Sequence, residues 1–395
     1  MKYIALFLSG LFDRPAIPPQ EDTPLVCADT PAIDTLAPVS RVGLVQTIPT
    51  HFHPLEDAGA LSLFGLRPRQ TQLRRAGFEL LGSGLTMKKD DVVLFCRFVS
   101  LSEGESFEER TMLADAPLSR DDAATLMDTL EQQLGSHIFS FRTAPDGSTF
   151  VIWHKGEENP GKLCPPETVR GNPLNAFLPA GDFTPPLLSL MQESTAVLTA
   201  HPLHQAYRDA GKLPADAVWL WGASAKPQPE SFSYRYAVKA SIVSTSNYVS
   251  GIARTCGVQV LRSPAGQTEK QISQVRKLLK SYDMAMLYDD ALAGCGSHAE
   301  KTAAISSIDR QLIAPLIHEL HESGEPFRIL LTADHAVSAA LGKPTLEAVP
   351  YLIYDSTTPE NNPLPFRENL PTDNFLSAGY ELPTLFTQPK ADGIG

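Results

Sequence analysis

The sequence predicts an α/β fold, a mostly parallel sheet with helices on both faces, and three observations carry that prediction. Residues 3–8, 284–288 and 327–331 are short apolar runs of the kind found in strands buried on both faces. Segments 271–279 and 303–321 place apolar residues at helical spacing, so strand and helix alternate as a doubly covered sheet requires. Each run also ends in polar residues: Ser9-Gly10, Asp289-Asp290 and Thr332-Ala333-Asp334-His335. Open α/β sheets form their ligand crevice beyond the carboxyl ends of such strands, so the three ends are expected to meet in one site.

In chain order, the opening apolar run reads as a buried first strand rather than a signal peptide, because it is short and Asp13-Arg14 follows at once. Residues 92–101 and 150–153 read as strands, with a helix over 120–134 between them. The Pro-rich stretch 160–186 reads as long ordered loop, and Trp219-Leu220-Trp221-Gly222 as core or domain-interface packing. Residues after Pro389 read as loose.

The chain has 395 residues, more than one ordinary domain of roughly 100–200 residues needs. With 43% hydrophobic and 20% charged residues its composition is globular. The net charge of −12 disfavours nucleic acid as a partner, since phosphate binding is driven by Lys and Arg. No apolar run approaches the roughly 20 residues of a spanning helix, so no membrane association is expected. Five cysteines without paired spacing suit a reducing cytoplasm.

Asp334-His335 could supply carboxylate and imidazole to a divalent ion, or could be a helix-capping Asp beside an ordinary His. Asp289-Asp290 divides in the same way between ligands and a solvated turn. His51 and His53 could face one side of an extended segment, although Pro54 suits a plain loop. Leu81-Gly82-Ser83-Gly84 lacks dinucleotide spacing, and no phosphate loop, GxSxG elbow or HExxH occurs.

Longer stretches carry a resemblance. Residues 23–37 (TPLVCADTPAIDTLA) match TPLEYADTPNMDKLA, and 78–84 (FELLGSG) match FEALGAG, of the archaeal-type 2,3-bisphosphoglycerate-independent phosphoglycerate mutases. Gly251-Ile252-Ala253-Arg254 and Thr332-Ala333-Asp334-His335 extend the match in family order. The chain thus resembles this branch of the alkaline phosphatase superfamily over nearly its whole length. The resemblance implies an alkaline-phosphatase-like core over 1–86 and 190–395, with a smaller inserted α+β domain over 87–189. It also implies two divalent ions and a transiently phosphorylated serine, the ions activating the nucleophile and balancing phosphoryl charge.

Residue by residue, this chain departs from that machinery. Ser9 stands for the metal-ligating aspartate of GDGMAD, Glu56 for the nucleophilic serine of PGSDTAH, Gly294 for the histidine of DEAGHDG, and Pro344 for a later histidine. Asp290, Asp334 and His335 remain as metal-ligand positions, with His51, His53, Cys295 and His298 as further donors that could be recruited. Glu56 could imitate a phosphoserine, ligate one metal, act as an acyl-phosphate nucleophile, or be a surface or salt-bridged Glu. In the insertion the substrate motif FRCNFAT becomes the stretch ending Phe95-Cys96-Arg97-Phe98-Val99-Ser100, GHRAV becomes 147–151, and a further family arginine becomes Trp221. Arg75 persists as a substrate-binding position.

These replacements remove donors that a divalent ion needs, so two full sites are not expected and at most one ion (Mn, Mg, Zn or Co) remains. The expected function is a catalytically degenerate family member that binds a small phosphorylated metabolite or a protein partner. The alternative is a working mutase, phosphotransferase or phosphatase with a rearranged single-metal site.

Overall fold

The computed structural model describes residues 1–14, 22–53, 58–69 and 75–388. The strands are β1 (Lys2–Leu8), β2 (Arg41–Val45), β3 (Asp91–Leu101), β4 (Met112–Asp115), β5 (Phe139–Thr143), β6 (Thr149–His154), β7 (Ala217–Ala225), β8 (Ala240–Ser244), β9 (Gln259–Arg262), β10 (Met284–Asp289), β11 (Phe327–Thr332), β12 (Ala336–Ser338), β13 (Lys343–Thr345), β14 (Val349–Asp355) and β15 (Phe375–Leu376). They divide between two units, Met1–Leu73 with Gln228–Gly395, and Arg74–Pro227.

The first unit holds an eight-stranded sheet in the order β15-β2-β14-β11-β1-β10-β8-β9. β1 lies at its centre, parallel to β10 and β11, and β8 and β9 continue in the same direction. β14 runs antiparallel to both of its neighbours. All six residues of β10 and of β11 are buried, which is why the sequence shows continuous rather than alternating apolar runs there. The helix Thr268–Leu279 matches its expectation and turns Ile272, Val275 and Leu278 inward.

The stretch 303–321 is not one helix. It runs as His298–Ile308, a wider π turn over Asp309–Ile313, and Ala314–Glu322. Pro315 explains the interruption, because it lacks an N–H and its ring crowds the preceding turn. The same turn buries the Asp309 carboxylate, which accepts the backbone N–H groups of Ala32 and Ile33 at 2.9 and 3.0 Å and so caps the helix Pro31–Leu36.

The second unit is an antiparallel sheet in which β3 pairs with β4, β6 and β7, and β5 pairs with β6. Helices Arg120–Leu134 and Pro185–Ala200 supply apolar residues to its larger core, with Trp219 almost fully enclosed there. The helix Arg75–Gly82 packs Ala76 and Leu80 against Val93, Phe150 and Ile152 in a smaller cluster. This unit extends further at both ends than the 87–189 expected. A cut at 189 would fall inside the helix Pro185–Ala200, and β7 pairs along β3 from Val92–Ala225 to Val99–Ala217. The Pro-rich stretch contains two short helical turns, Pro166–Val169 and Leu174–Ala176.

Among the described residues no helix is long and apolar enough to cross a membrane, and no disulfide joins the cysteines.

Candidate functional site

The carboxyl ends of β1, β10, β11 and β8 lead into Ser9, Asp290, Asp334 and Thr245. Gly10 has a φ of +87°, and a Cβ there would collide with the backbone of Leu292 and Ala293. Only glycine lets the turn after β1 lie this close to the turn after β10. A Cβ on Gly59 would likewise strike the Asp334 carbonyl, so the helix Ala58–Leu63 starts against the end of β11. Glu56 precedes that helix and lies outside the described residues.

Asp334 is the hub of this crevice. Its Oδ2 accepts the Tyr288 hydroxyl at 2.9 Å and lies 3.1 Å from His335 Nδ1. Its Oδ1 accepts the His335 backbone N–H at 3.1 Å, and Ser9 lies beside the same carboxylate. Burial alone would push the Asp334 carboxyl up, but the adjacent His335 imidazole and the hydrogen bonds from His335, Ser9 and Tyr288 hold it below the ordinary range. Burial and the neighbouring Asp334 carboxylate push the Tyr288 phenol well above its usual value, so it stays a donor. Ser9 thus answers the first-strand aspartate of the resemblance with a neutral hydroxyl beside Asp334 and Tyr288.

Asp290 is half-exposed and belongs to a separate contact, its Oδ1 accepting the Thr245 hydroxyl at 2.7 Å. Gly294 is exposed with open space where a side chain would be, and Pro344 pairs with Val337 in the β12–β13 hairpin. His298 starts a helix and places Nε2 2.8 Å from the Asp22 carbonyl. His51 packs its ring 4.5 Å from that of Phe52, His53 is exposed, and Cys295 is half-buried. Among the described residues no group of three or more His, Cys, Asp and Glu side chains is placed to hold a metal ion. The described residues therefore do not fit the family's ion pair: Asp334 and His335 come together, Asp290 bonds elsewhere, and Ser9, Gly294 and Pro344 supply neither charge nor imidazole.

A buried cation beside these turns escaped the sequence reading. Lys301 is 1% exposed, and its ammonium donates to the carbonyls of Phe12 at 3.0 Å and Val337 at 2.6 Å, with Asp13 Oδ2 at 3.5 Å. Asp13 also receives the Ala339 N–H, while Glu368 accepts the Asp13 N–H and the Thr23 hydroxyl. Burial draws the Lys301 ammonium below its usual value, and Asp13 opposes that shift. The cluster ties the segment after β1 to the hairpin. A lysine in a helix reads from sequence as solvated, so only its carbonyl partners reveal it.

The second unit carries its own concavity, a cavity of about 620 Å³. Arg75, Phe95, Arg97, Gly147 and Trp221 line it, so segments that the resemblance assigns to substrate do converge. Phe95 stacks on Trp221 with centroids 5.1 Å apart, and the Arg97 guanidinium lies 5.6 Å from the Trp221 ring. Asp115 pairs with Arg97 at 3.0 Å, and Glu79 pairs with Arg75 at 2.7 Å. Aromatic and carboxylate partners thereby orient two guanidinium groups at one opening.

The family model for 2,3-bisphosphoglycerate-independent phosphoglycerate mutase matches residues 37–204. Relatives of that kind align along almost the whole chain. The protein named Probable 2,3-bisphosphoglycerate-independent phosphoglycerate mutase of Geobacter sulfurreducens is 28% identical, over 91% of this chain and 92% of its own. The Methanosarcina mazei 2,3-bisphosphoglycerate-independent phosphoglycerate mutase is 27% identical, with 92% of each chain covered. The chain is similar to 2,3-bisphosphoglycerate-independent phosphoglycerate mutases along nearly its whole length. Its fold is that of the PH0037 protein from Pyrococcus horikoshii, with a TM-score of 0.76 at 22% identity and 99% of each chain covered. The cofactor-independent phosphoglycerate mutase from Thermoplasma acidophilum gives 0.69 at 22% identity, covering 98% of this chain and 99% of its own. Ser9, Gly294 and Pro344, which the resemblance sets at metal-ligand positions, fall on the turn after β1, the turn after β10 and the hairpin after β11.

Proposed function

We propose that this chain is a phosphoglycerate mutase family member that keeps the fold but not the two-metal phosphoryl transfer, and that it acts in the cytoplasm by binding a small phosphorylated metabolite. The supporting observation is the state of Asp334: its carboxylate is occupied by Tyr288 and His335, leaving no arrangement of described residues that would hold an ion. A buried carboxylate satisfied by protein hydrogen bonds must surrender them before it can ligate, and Gly294 and Pro344 offer nothing to offset that loss. In the ligand-binding role Arg75 and Arg97 meet the phosphate at the second unit's cavity, as pre-oriented guanidinium groups suit a phosphate.

The test is a coupled assay of 3-phosphoglycerate to 2-phosphoglycerate with Mn, Mg, Zn or Co added in turn, beside calorimetry with the same phosphoglycerates. The proposal expects binding without turnover. Turnover near or above about 1 per second would place the chain among ordinary enzymes and end the proposal.

A further inference from the structure

The second unit contains a second grouping of Asp, His and Ser, arranged quite differently. Asp91 opens β3, His154 closes β6, and Ser140 is the second residue of β5. Register pairs Asp91 with His154 and Ser140 with Ile152, and the two-residue alternation of β6 turns Ile152 and His154 to one face. Three residues from three strands therefore meet at one end of one sheet face.

Their contacts form a line. Asp91 Oδ1 lies 3.0 Å from His154 Nδ1, and His154 Nε2 lies 2.9 Å from Ser140 Oγ. The second carboxylate oxygen of Asp91 accepts the Lys88 backbone N–H at 2.8 Å, which fixes the carboxylate plane. With an ionised Asp91 holding the proton on Nδ1, the Nε2 lone pair is left to accept the Ser140 O–H. A nucleophile and a base within hydrogen-bond reach, the base oriented by a third group, is the arrangement that activates a serine. Asp91 and Ser140 are both buried, Ser140 at 6% exposure, whereas a quarter of the His154 side chain is exposed, so the line reaches solvent at its central imidazole. Lys155, next in sequence, has a φ of +53°, the left-handed backbone that a non-glycine residue seldom adopts outside constrained positions.

We propose that Ser140, His154 and Asp91 form an esterase-type nucleophilic site for small esters. Ser140 Oγ attacks the acyl carbon and its proton passes to His154 Nε2. The ester C–O bond then breaks, and the departing alkoxide takes that proton. Water next attacks the acyl-Ser140 carbon, giving a proton to Nε2; the acid leaves and Ser140 recovers its proton. Asp91 is the positioning residue. The site is independent of the phosphometabolite reading above.

The experiment uses the full chain with diisopropyl fluorophosphate, which transfers its phosphoryl group to an activated serine with loss of fluoride, and with p-nitrophenyl acetate as substrate. We expect one adduct per chain, mapped to Ser140 by peptide mass, and ester hydrolysis that falls at least 100-fold in Ser140→Ala and in His154→Gln. Asp91→Asn should displace the pH of half-maximal labelling, a readout that a merely structural carboxylate would leave in place. Each variant is checked for a wild-type unfolding midpoint. Should a variant unfold, the adduct map on the unmodified sequence still decides. Absence of an adduct after prolonged exposure, labelling at another residue, or unchanged hydrolysis in folded Ser140→Ala would overturn the proposal.

Discussion

Asp334 and Asp91 stand at the ends of strands in different units and use the same partner chemistry to opposite effect. Around Asp334 the Tyr288 hydroxyl, the His335 N–H and the His335 imidazole all converge on one carboxylate. Around Asp91 the groups are in series, carboxylate to imidazole to hydroxyl. A hub consumes its donors and leaves none with a spare function, whereas a line passes the effect of the carboxylate on to the hydroxyl at its far end. The difference comes from backbone placement. His335 follows Asp334 directly and must fold back on it, while Asp91, His154 and Ser140 come from three strands and extend across the sheet.

The comparison breaks most severely at the hub itself. Asp334→Ala leaves a buried imidazole and the buried Tyr288 hydroxyl without their acceptor, so urea unfolding should report a loss of about 3–5 kcal/mol. Tyr288→Phe removes one donor to the charged carboxylate and should cost about 1.5–3 kcal/mol by the same measurement. A loss under about 0.5 kcal/mol in either variant would mean that the hub is wet and open.

The line predicts an acid limb. Burial raises the Asp91 carboxyl, but hydrogen bonds from His154 and from the Lys88 N–H bring it below 3.8 overall. Because its folded value is depressed, Asp91 contributes stability that is fully present above the unfolded value near 3.8 and is lost as pH falls through the lower folded value. Asp122, held low chiefly by the Ser119 and Tyr207 hydroxyls, acts in the same direction and window. Thermal midpoints followed downward from pH 5 should therefore fall more steeply in wild type than in Asp91→Asn. The smallest effect belongs to the end of the line. Ser140→Ala leaves an imidazole that water can reach, and should cost under about 1 kcal/mol while abolishing serine labelling.

Much of the first unit was legible because strands buried on both faces write themselves as nearly continuous apolar runs; 3–8, 284–288 and, but for Arg328, 327–331 became β1, β10 and β11. Asp334 and His335 were legible as a pair at a strand end, and the resemblance marked Arg75 and segments 95–100 and 147–151 one by one, but not that Arg75, 95–97 and 147–149 line one cavity. Tyr288 was hidden inside an apolar run, where its hydroxyl has no sequence signature. The break at 309–313 was hidden because helical spacing survives a single widened turn. The far boundary of the second unit was hidden because β7 returns to β3 after a long excursion, a pairing that local periodicity cannot encode. Lys301 and the Asp91–His154–Ser140 line depend on contacts between distant segments, and no fixed spacing announces either.

The central claim is that the crevice beyond β1, β10 and β11 is closed by its own hydrogen bonds and does not hold the family's ions. It is tested most directly by elemental analysis of the purified chain after equilibration with excess Mn or Co and removal of free ion. The account predicts far less than one ion per chain, with the same value for Asp290→Ala. One or two stoichiometric ions, lost when Asp290 is replaced, would contradict it.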